Sequence, residues 1–502
     1  MAVPITGIPR PARVRPVPLP ELAAVAGVPA PDSTVAVTGI TLSDARVRTG
    51  DLFAGVPGRS AHGASFSAAA VAAGAVAVLT DAAGRAHVPD GVPVLEVPDV
   101  RAVLGRVSAA VYGNPADGLQ ILGVTGTSGK TTTAYFLRAG LQAAGIPSGL
   151  IGTVATMIGD DEIRTGFTTP EATDVQALLA AMVEHGVQAV AAEVSSHALL
   201  LGRADGIEFA VGAFTNLSQD HLDLHGSMEE YFLAKAKLFD GRSRAAVIVV
   251  DDDWGRRMAA VAGPSAVTVS TDGSHATWRA LDVVSAADGH TTFRVVGPDV
   301  SLETACGVPG RYNVANALLA LAILAAAGVD PVVAAPAIAA AAVPGRMETV
   351  RVGQQFLAVV DYSHKPAAVQ GALAALRPLT PGRLIVVLGC GGDRDAVKRP
   401  LMGEIAARDA DLLVVTDDNP RSEDPAAIRA AMLDGARRIP NADVCEVGDR
   451  AAAIAAAVAA AVPGDTVLVA GKGHETGQEI MGVVTPFDDR DVLAGAIRAS
   501  LS

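Results

Sequence analysis

"GVTGTSGKTTT", residues 123–133, stands between an apolar run and a helical pattern, and its reading decides the fold. The common phosphate-binding loop is written G-x-x-x-x-G-K-[ST]. Here Val124 occupies the place of its first glycine, and the glycines are Gly123, Gly126 and Gly129. The chemistry asks for less than that pattern does. It needs small residues at tight turns, backbone N–H groups at a helix N-terminus, a lysine for the outer phosphate oxygens and a hydroxyl for Mg²⁺. Gly126, Thr127, Ser128 and Gly129 form such a cradle, Lys130 brings the charge, and Thr131 and Thr132 bring hydroxyls. The competing possibility is a glycine-rich turn that merely contains Gly-Lys-Thr. The strand pattern "ILGVT" before the loop and the helical run after it favour ATP binding.

Outward from the loop, residues 33–113 alternate short β-like runs with Ala-rich helical stretches, and "YGNPADGLQ", 112–120, carries a turn signal. Beyond it, "VQAVAAEVSS", "FAVGAFTNL" and "AAVIVV" are continuously apolar, as strands buried on both faces are. The pattern resets at "VPGRME", near Val343, and then alternates strand and helix as a doubly wound domain does. The expected strands there are "RLIVVLG", "DLLVVTDD", "ADVCEV" and "DTVLVAG", with helices starting near Pro400, Pro425 and Asp449. The fold class expected is α/β in three domains: a smaller N-terminal α/β domain over 33–113, a central P-loop ATPase-like parallel sheet over 114–342, and a Rossmann-like C-terminal domain over 343–502. Residues 1–32, rich in proline and with no apolar run behind Arg10, Arg13 and Arg15, are expected to be a disordered lead-in.

Composition excludes several classes. Half of the 502 residues are apolar, yet no apolar run reaches the ~18 residues of a membrane span. The runs 314–329 and 451–462 are Ala-rich and are expected to be buried helices. Cys306, Cys390 and Cys445 are odd in number and scattered, which suits a reducing cytoplasm and argues against structural zinc. A net charge of −14 argues against nucleic-acid partners, because phosphate backbones need a basic surface. A monomer is expected.

The loop does not stand alone. "GTSGKTT", "EVSSHAL" (193–199), "FTNLSQDHLDLHG" (214–226), "GRYNVANALLA" (310–320) and "DYSHKP" (361–366) resemble the motifs of the Mur ligase family, in the family's order. The resemblance covers nearly the whole chain from about residue 33. It implies an ATP-dependent ligase making amide bonds in peptidoglycan precursors. By the same resemblance, Thr131, Glu193 and His221 hold Mg²⁺, and Lys130, Glu193, His221 and Lys235 form the catalytic set. Lys235 matches the lysine that the family carries as a carbamate (N6-carboxylysine), with Lys237 the competing position. From its residues alone, Glu193 or His221 would pass for a satisfied structural polar group, and Lys235 for one of two lysines on a helix face. Asn316, Arg346 and Asp361 are implied to contact the nucleotide. Ser43, Arg59, Ser60, Ala61, Thr168, Thr169, Ser195 and Arg203 are implied to contact a UDP-N-acetylmuramoyl-dipeptide. Ala45 and Leu201 depart from the family, standing where many members carry a hydroxyl residue and a glutamine.

The last domain offers a clue of its own. Three expected strands end in "CGGDRD", "TDDNPR" and "AGKGHE", and in a doubly wound sheet such loops form the ligand crevice. Arg394, Asp418, Asn419, Arg421 and Glu475 are thereby expected at one site, where arginines suit carboxylates and acids suit ammoniums. A surface salt-bridge network is the alternative. "DNPR" further resembles the family member that adds meso-diaminopimelate, which implies substrate contacts for Asp418, Asn419, Pro420, Arg421, Arg394, Gly471 and Glu475. L-lysine as the acceptor, and a nucleotide-driven switch that makes no bond, are the rival expectations.

Overall fold

The computed structural model describes residues 5–58, 60–165, 168–273 and 275–501. The chain divides into two compact units, Met1–Arg279 with Leu318–Ala334, and Ala280–Ala317 with Ala335–Ser502.

In the first unit, strands Gly39–Thr41, Asp51–Ala54, Ala77–Thr80 and Val94–Glu96 form a small parallel sheet, neighbouring in chain order. The following helix, Val100–Val111, starts at Asp99, whose carboxylate accepts from Arg101 N at 2.9 Å and so serves an N–H that the helix leaves unpaired. A second sheet holds the parallel strands Ser148–Ile151, Ala189–Glu193, Gln120–Thr125, Phe209–Phe214, Ser243–Val249 and Val267–Ser270, in that spatial order. Gln120–Thr125 is central, so the glycine loop leaves the sheet between the ends of Ala189–Glu193 and Phe209–Phe214. The apolar continuity of the central strand follows from cover on both faces: Ile121 and Leu122, successive residues that point to opposite sides, are both buried, as is Val124.

The lead-in is a correction. Described residues before Asp32 are built into the fold rather than disordered: Ile5–Thr6 pairs with Asp161–Arg164, and Leu19–Ala26 is a helix. Leu19, Leu22 and Ala23 of that helix are buried in one apolar cluster with Val100, Leu104 and Val107. Arg10 pairs with the buried Asp51 at 2.7 Å. Pro20 falls in the first turn of that helix, where no donor is lost, and Pro18 caps it from a short strand paired with Ala36.

In the second unit a six-stranded sheet runs Glu348–Thr349, Leu357–Asp361, Thr466–Ala470, Leu384–Leu388, Leu412–Val415, Val444–Glu446, parallel except at its first strand. The four strands expected here are present. Leu357–Asp361 and the hairpin Gly477–Ile480/Val483–Pro486 are additions that the alternating pattern did not mark. Three adjacent strands, Thr466–Ala470, Leu384–Leu388 and Leu412–Val415, send their carboxyl-end loops to the same edge. Among the described residues no helix is long and apolar enough to cross a membrane.

Candidate active site

The glycine loop is clasped by the segment after Phe214. Thr127 N donates to Asn216 O at 2.9 Å, Ser128 N to Asn216 Oδ1 at 3.0 Å, and Thr215 Oγ1 to Ser128 O at 2.6 Å. Gly126 has φ +151°, and a Cβ there would run into the Thr215 hydroxyl. Gly129, at φ +89°, opens the helix Lys130–Ala143. Lys130 Nζ donates to Gly126 O at 2.8 Å and Thr127 O at 2.9 Å, folded over the loop that it would serve.

Glu193 ends its strand with a buried carboxylate, 1% exposed. Oε2 accepts from Thr131 Oγ1 at 3.0 Å and Thr153 Oγ1 at 3.1 Å, and Oε1 from Thr153 N at 2.7 Å. Thr153 Oγ1 also meets Thr168 Oγ1 at 2.9 Å. Thr169 Oγ1 donates to Glu193 O at 2.8 Å and accepts from Ser195 N at 3.3 Å, while Arg203 donates to Thr169 O at 3.3 Å. Thus Thr131, Glu193, Thr168, Thr169, Ser195 and Arg203 form one connected network. Its hard oxygen donors fit Mg²⁺. His221 belongs to a neighbouring cluster: its ring lies 4.7 Å from that of His197, and it pairs with Asp220 at 3.3 Å. Among the described residues no three His, Cys, Asp or Glu side chains are gathered into a ready-made metal cluster.

Lys235 is buried and donates to Gly126 O at 2.8 Å, with its Nζ 4.4 Å from the centre of the Tyr231 ring. Burial, and after it the Lys130 charge, hold its amine well below the usual lysine range. Burial also pushes the Tyr231 hydroxyl up to about 12, and that hydroxyl meets Thr127 Oγ1 at 3.2 Å. Lys237 starts the 3₁₀ turn after the helix and is less buried.

Ser43 and the Ser60–Ala61 turn lie on separate loops of the small sheet; Gly58 N donates to Ala61 O at 3.1 Å. Arg59 lies outside the described residues.

In the second unit, Asn316 Nδ2 donates to Asn313 Oδ1 at 2.9 Å, and both residues are buried. Asp361 accepts from Met347 N at 2.7 Å and Ser363 N at 2.9 Å. Arg346 lies over the Tyr362 ring at 4.5 Å, and its buried Nε has no hydrogen-bond partner among the described residues. The three carboxyl-end loops meet as expected. Asn419 Nδ2 donates to Glu475 Oε2 at 2.7 Å, and a Cβ on Gly471 would stand 2.5 Å from Asp418 Oδ2. Arg421 Nη1 donates to Gly392 O at 2.6 Å, and Pro420 lies between Asn419 and Arg421. Arg394, expected at the same site, is instead exposed on the loop that Arg421 touches and makes no hydrogen bond to the others among the described residues.

Three family descriptions match in succession: "Mur ligase family, catalytic domain" over 36–112, "Mur ligase middle domain" over 124–324, and "Mur ligase, glutamate ligase domain" over 345–473. The chain belongs to the Mur ligase family. This Mur ligase is 54% identical over 500 residues, 98% of either chain, to the UDP-N-acetylmuramoyl-L-alanyl-D-glutamate--2,6-diaminopimelate ligase of Streptomyces coelicolor. A solved structure of an enzyme of that name superposes with a TM-score of 0.72 at 32% identity, covering 97% of this chain and 100% of its own. The MurF ligase of Thermotoga maritima, solved in complex with ADP, shares the fold at a TM-score of 0.61 and 18% identity, over 92% of this Mur ligase and 96% of its own chain.

Several residues of the candidate site were not legible in the sequence. Thr153, which caps Glu193 twice, lies in "GTVATM", a stretch with no charge or spacing to mark it. Thr215 and Asn216 were inside a quoted motif, but their grip on the loop needs residues 87 and 88 positions away.

Proposed function

We propose that this Mur ligase adds meso-2,6-diaminopimelate to the D-glutamate of UDP-N-acetylmuramoyl-L-alanyl-D-glutamate, with ATP and Mg²⁺, in peptidoglycan cell-wall biosynthesis. The observation that carries the substrate reading is the crevice of Asp418, Asn419, Arg421, Gly471 and Glu475, which offers a guanidinium and carboxylates to one small zwitterion. The γ-phosphoryl of ATP passes to the glutamyl carboxylate, leaving ADP and an acyl phosphate. The amine then attacks the acyl carbon, loses its proton, and phosphate leaves from the tetrahedral intermediate.

Lys130 and the N–H groups of 126–132 hold the phosphates, so their part is positioning and charge stabilisation. Thr131, Glu193 and His221 would hold Mg²⁺, which would neutralise charge on the phosphates. Lys235 supports its assignment as a carbamate through its chemistry: only a neutral amine adds CO₂, and burial favours the neutral form. Thr168, Thr169, Ser195 and Arg203 orient the UDP-linked substrate beside Glu193; Ser43, Arg59, Ser60 and Ala61 hold its uridine end. Asn316, Arg346 and Asp361 serve the nucleotide, with the orphaned Arg346 Nε a donor for it. The domain divisions at 113 and 342 go with this reading.

The test is phosphate release with the UDP-dipeptide and either amino acid. Diaminopimelate differs from lysine by one carboxylate, and a site built for a hydrogen-bonding group rejects the analogue lacking it by about 10⁴-fold. Wild type is expected to prefer diaminopimelate strongly. Arg421→Ala is expected to lose on the order of 2–3 kcal/mol in kcat/KM for diaminopimelate and to narrow the gap to lysine. A wild-type preference for lysine, or a gap that Arg421→Ala leaves unchanged, defeats the reading.

A further inference from the structure

Lys472, in the "GKGHE" loop, looks from sequence like a solvated lysine beside the crevice. Its side chain is instead 0% exposed. It sits between Gly471 at φ +118° and Gly473 at φ +54°, backbone that favours glycine and turns the lysine inward. An ammonium has three N–H donors, and here all are used: Gly477 O at 2.7 Å, Asn419 Oδ1 at 2.9 Å and Glu475 Oε2 at 3.3 Å. These partners come from the hairpin, the "DNPR" loop and its own loop.

The consequence falls on Asn419. Its Oδ1 accepts from Lys472 and also from Glu479 N at 3.0 Å, so the carbonyl end is held by two donors. The amide end must then point the other way, where Nδ2 donates to Glu475 Oε2 at 2.7 Å. Glu475 Oε2 is taken by two donors, while Oε1 has no hydrogen bond among the described residues and remains for a ligand ammonium. We propose that Lys472 is a positioning residue that, by fixing the orientation of Asn419 and Glu475, sets the affinity and selectivity of the crevice for an amino acid carrying an ammonium group. A buried charge is a costly way to fill space, and a whole buried pair replaced by apolar groups is often neutral or better for stability.

This inference rests on the function proposed above, and its test separates the two. In Lys472→Met, the KM for diaminopimelate is expected to rise about tenfold or more, the loss of one hydrogen bond to a charged group. The KM values for ATP and the UDP-dipeptide should stay where they are. Lys472→Gln, which keeps a donor, should fall between. If either variant fails to fold, Asn419→Asp keeps the oxygen that accepts from Lys472 and removes only the amide donor to Glu475, and the same amino-acid-specific rise in KM is expected. An unchanged KM for diaminopimelate, or an equal rise for all three substrates, overturns the inference while wild-type turnover with diaminopimelate leaves the function standing. Wild type without diaminopimelate-dependent phosphate release defeats the function first.

Discussion

Lys235 is a buried amine whose surroundings work against stability. Its amine is removed from water and meets a carbonyl, an aromatic face and the field of Lys130, none of which replaces a carboxylate. The folded-state pKa is depressed, so between that lowered value and the ordinary lysine value the unfolded chain binds a proton that the folded chain does not, and stability rises with pH across that window. Replacing Lys235 with Met should therefore stabilise the protein by about 1–2 kcal/mol. Gly126 O keeps Lys130 as a donor, which removes the usual penalty of an abandoned acceptor. Activity should nearly vanish. Melting in CO₂-depleted buffer and turnover check both halves; in Lys235→Ala, added short-chain carboxylates should restore part of the rate by standing in for the missing anion. Full activity without them would make Lys235 a helix-face residue and nothing more.

At the scale of the element, a second motif holds the glycine loop through Thr215 and Asn216. Gly126 needs its missing side chain twice: its φ of +151° suits glycine, and the Thr215 hydroxyl occupies the space of a Cβ. Gly126→Ala must therefore strain the backbone or break the bond from Thr215 to Ser128 O. Strain of this kind costs on the order of 1–3 kcal/mol. Calorimetry should show ADP binding weakened by about tenfold or more, since about 1.4 kcal/mol is tenfold in affinity. ADP affinity equal to wild type would show that Thr215 is not a fixed wall of the loop.

For the molecule as a whole, acid should destabilise in two steps. Burial holds His364 and His474 down at about 4, against 6.5 when exposed. Between those values the unfolded chain takes up protons that the folded chain refuses, so stability is full above about pH 6.5 and is lost as pH falls towards 4. Each ring accounts for on the order of 2 kcal/mol after allowance for partial exposure. Asp465 and Asp488, where hydrogen bonds and neighbouring arginines outweigh burial and hold the carboxyls low, are lost only below that window. Denaturant unfolding at pH 7, 6 and 5 should show a falling midpoint, and His364→Gln with His474→Gln should flatten it. A wild-type midpoint that does not move between pH 7 and 5 contradicts the assignment.

What the sequence determined by itself was local. Strand, glycine loop and helix follow one another within residues 120–143, so the turn chemistry is written where it acts. The three polar loops of the second unit were legible for a similar reason: parallel strands place their carboxyl ends on one edge, whatever the details of packing. Tertiary structure decided what depends on residues distant in the chain. Asn216 grips Ser128 across 88 positions, and Lys472 reaches Asn419 across 53. The proline-rich segment before Asp32 folds because an apolar face from Leu19 to Ala26 finds Val100, Leu104 and Val107. Burial is likewise a property of the assembled chain. Lys235 and Lys472 are the same residue type as the solvated lysines that composition would suggest, and only the packing around them removes water and turns a surface charge into a group with fixed partners and, for Lys235, a shifted proton affinity.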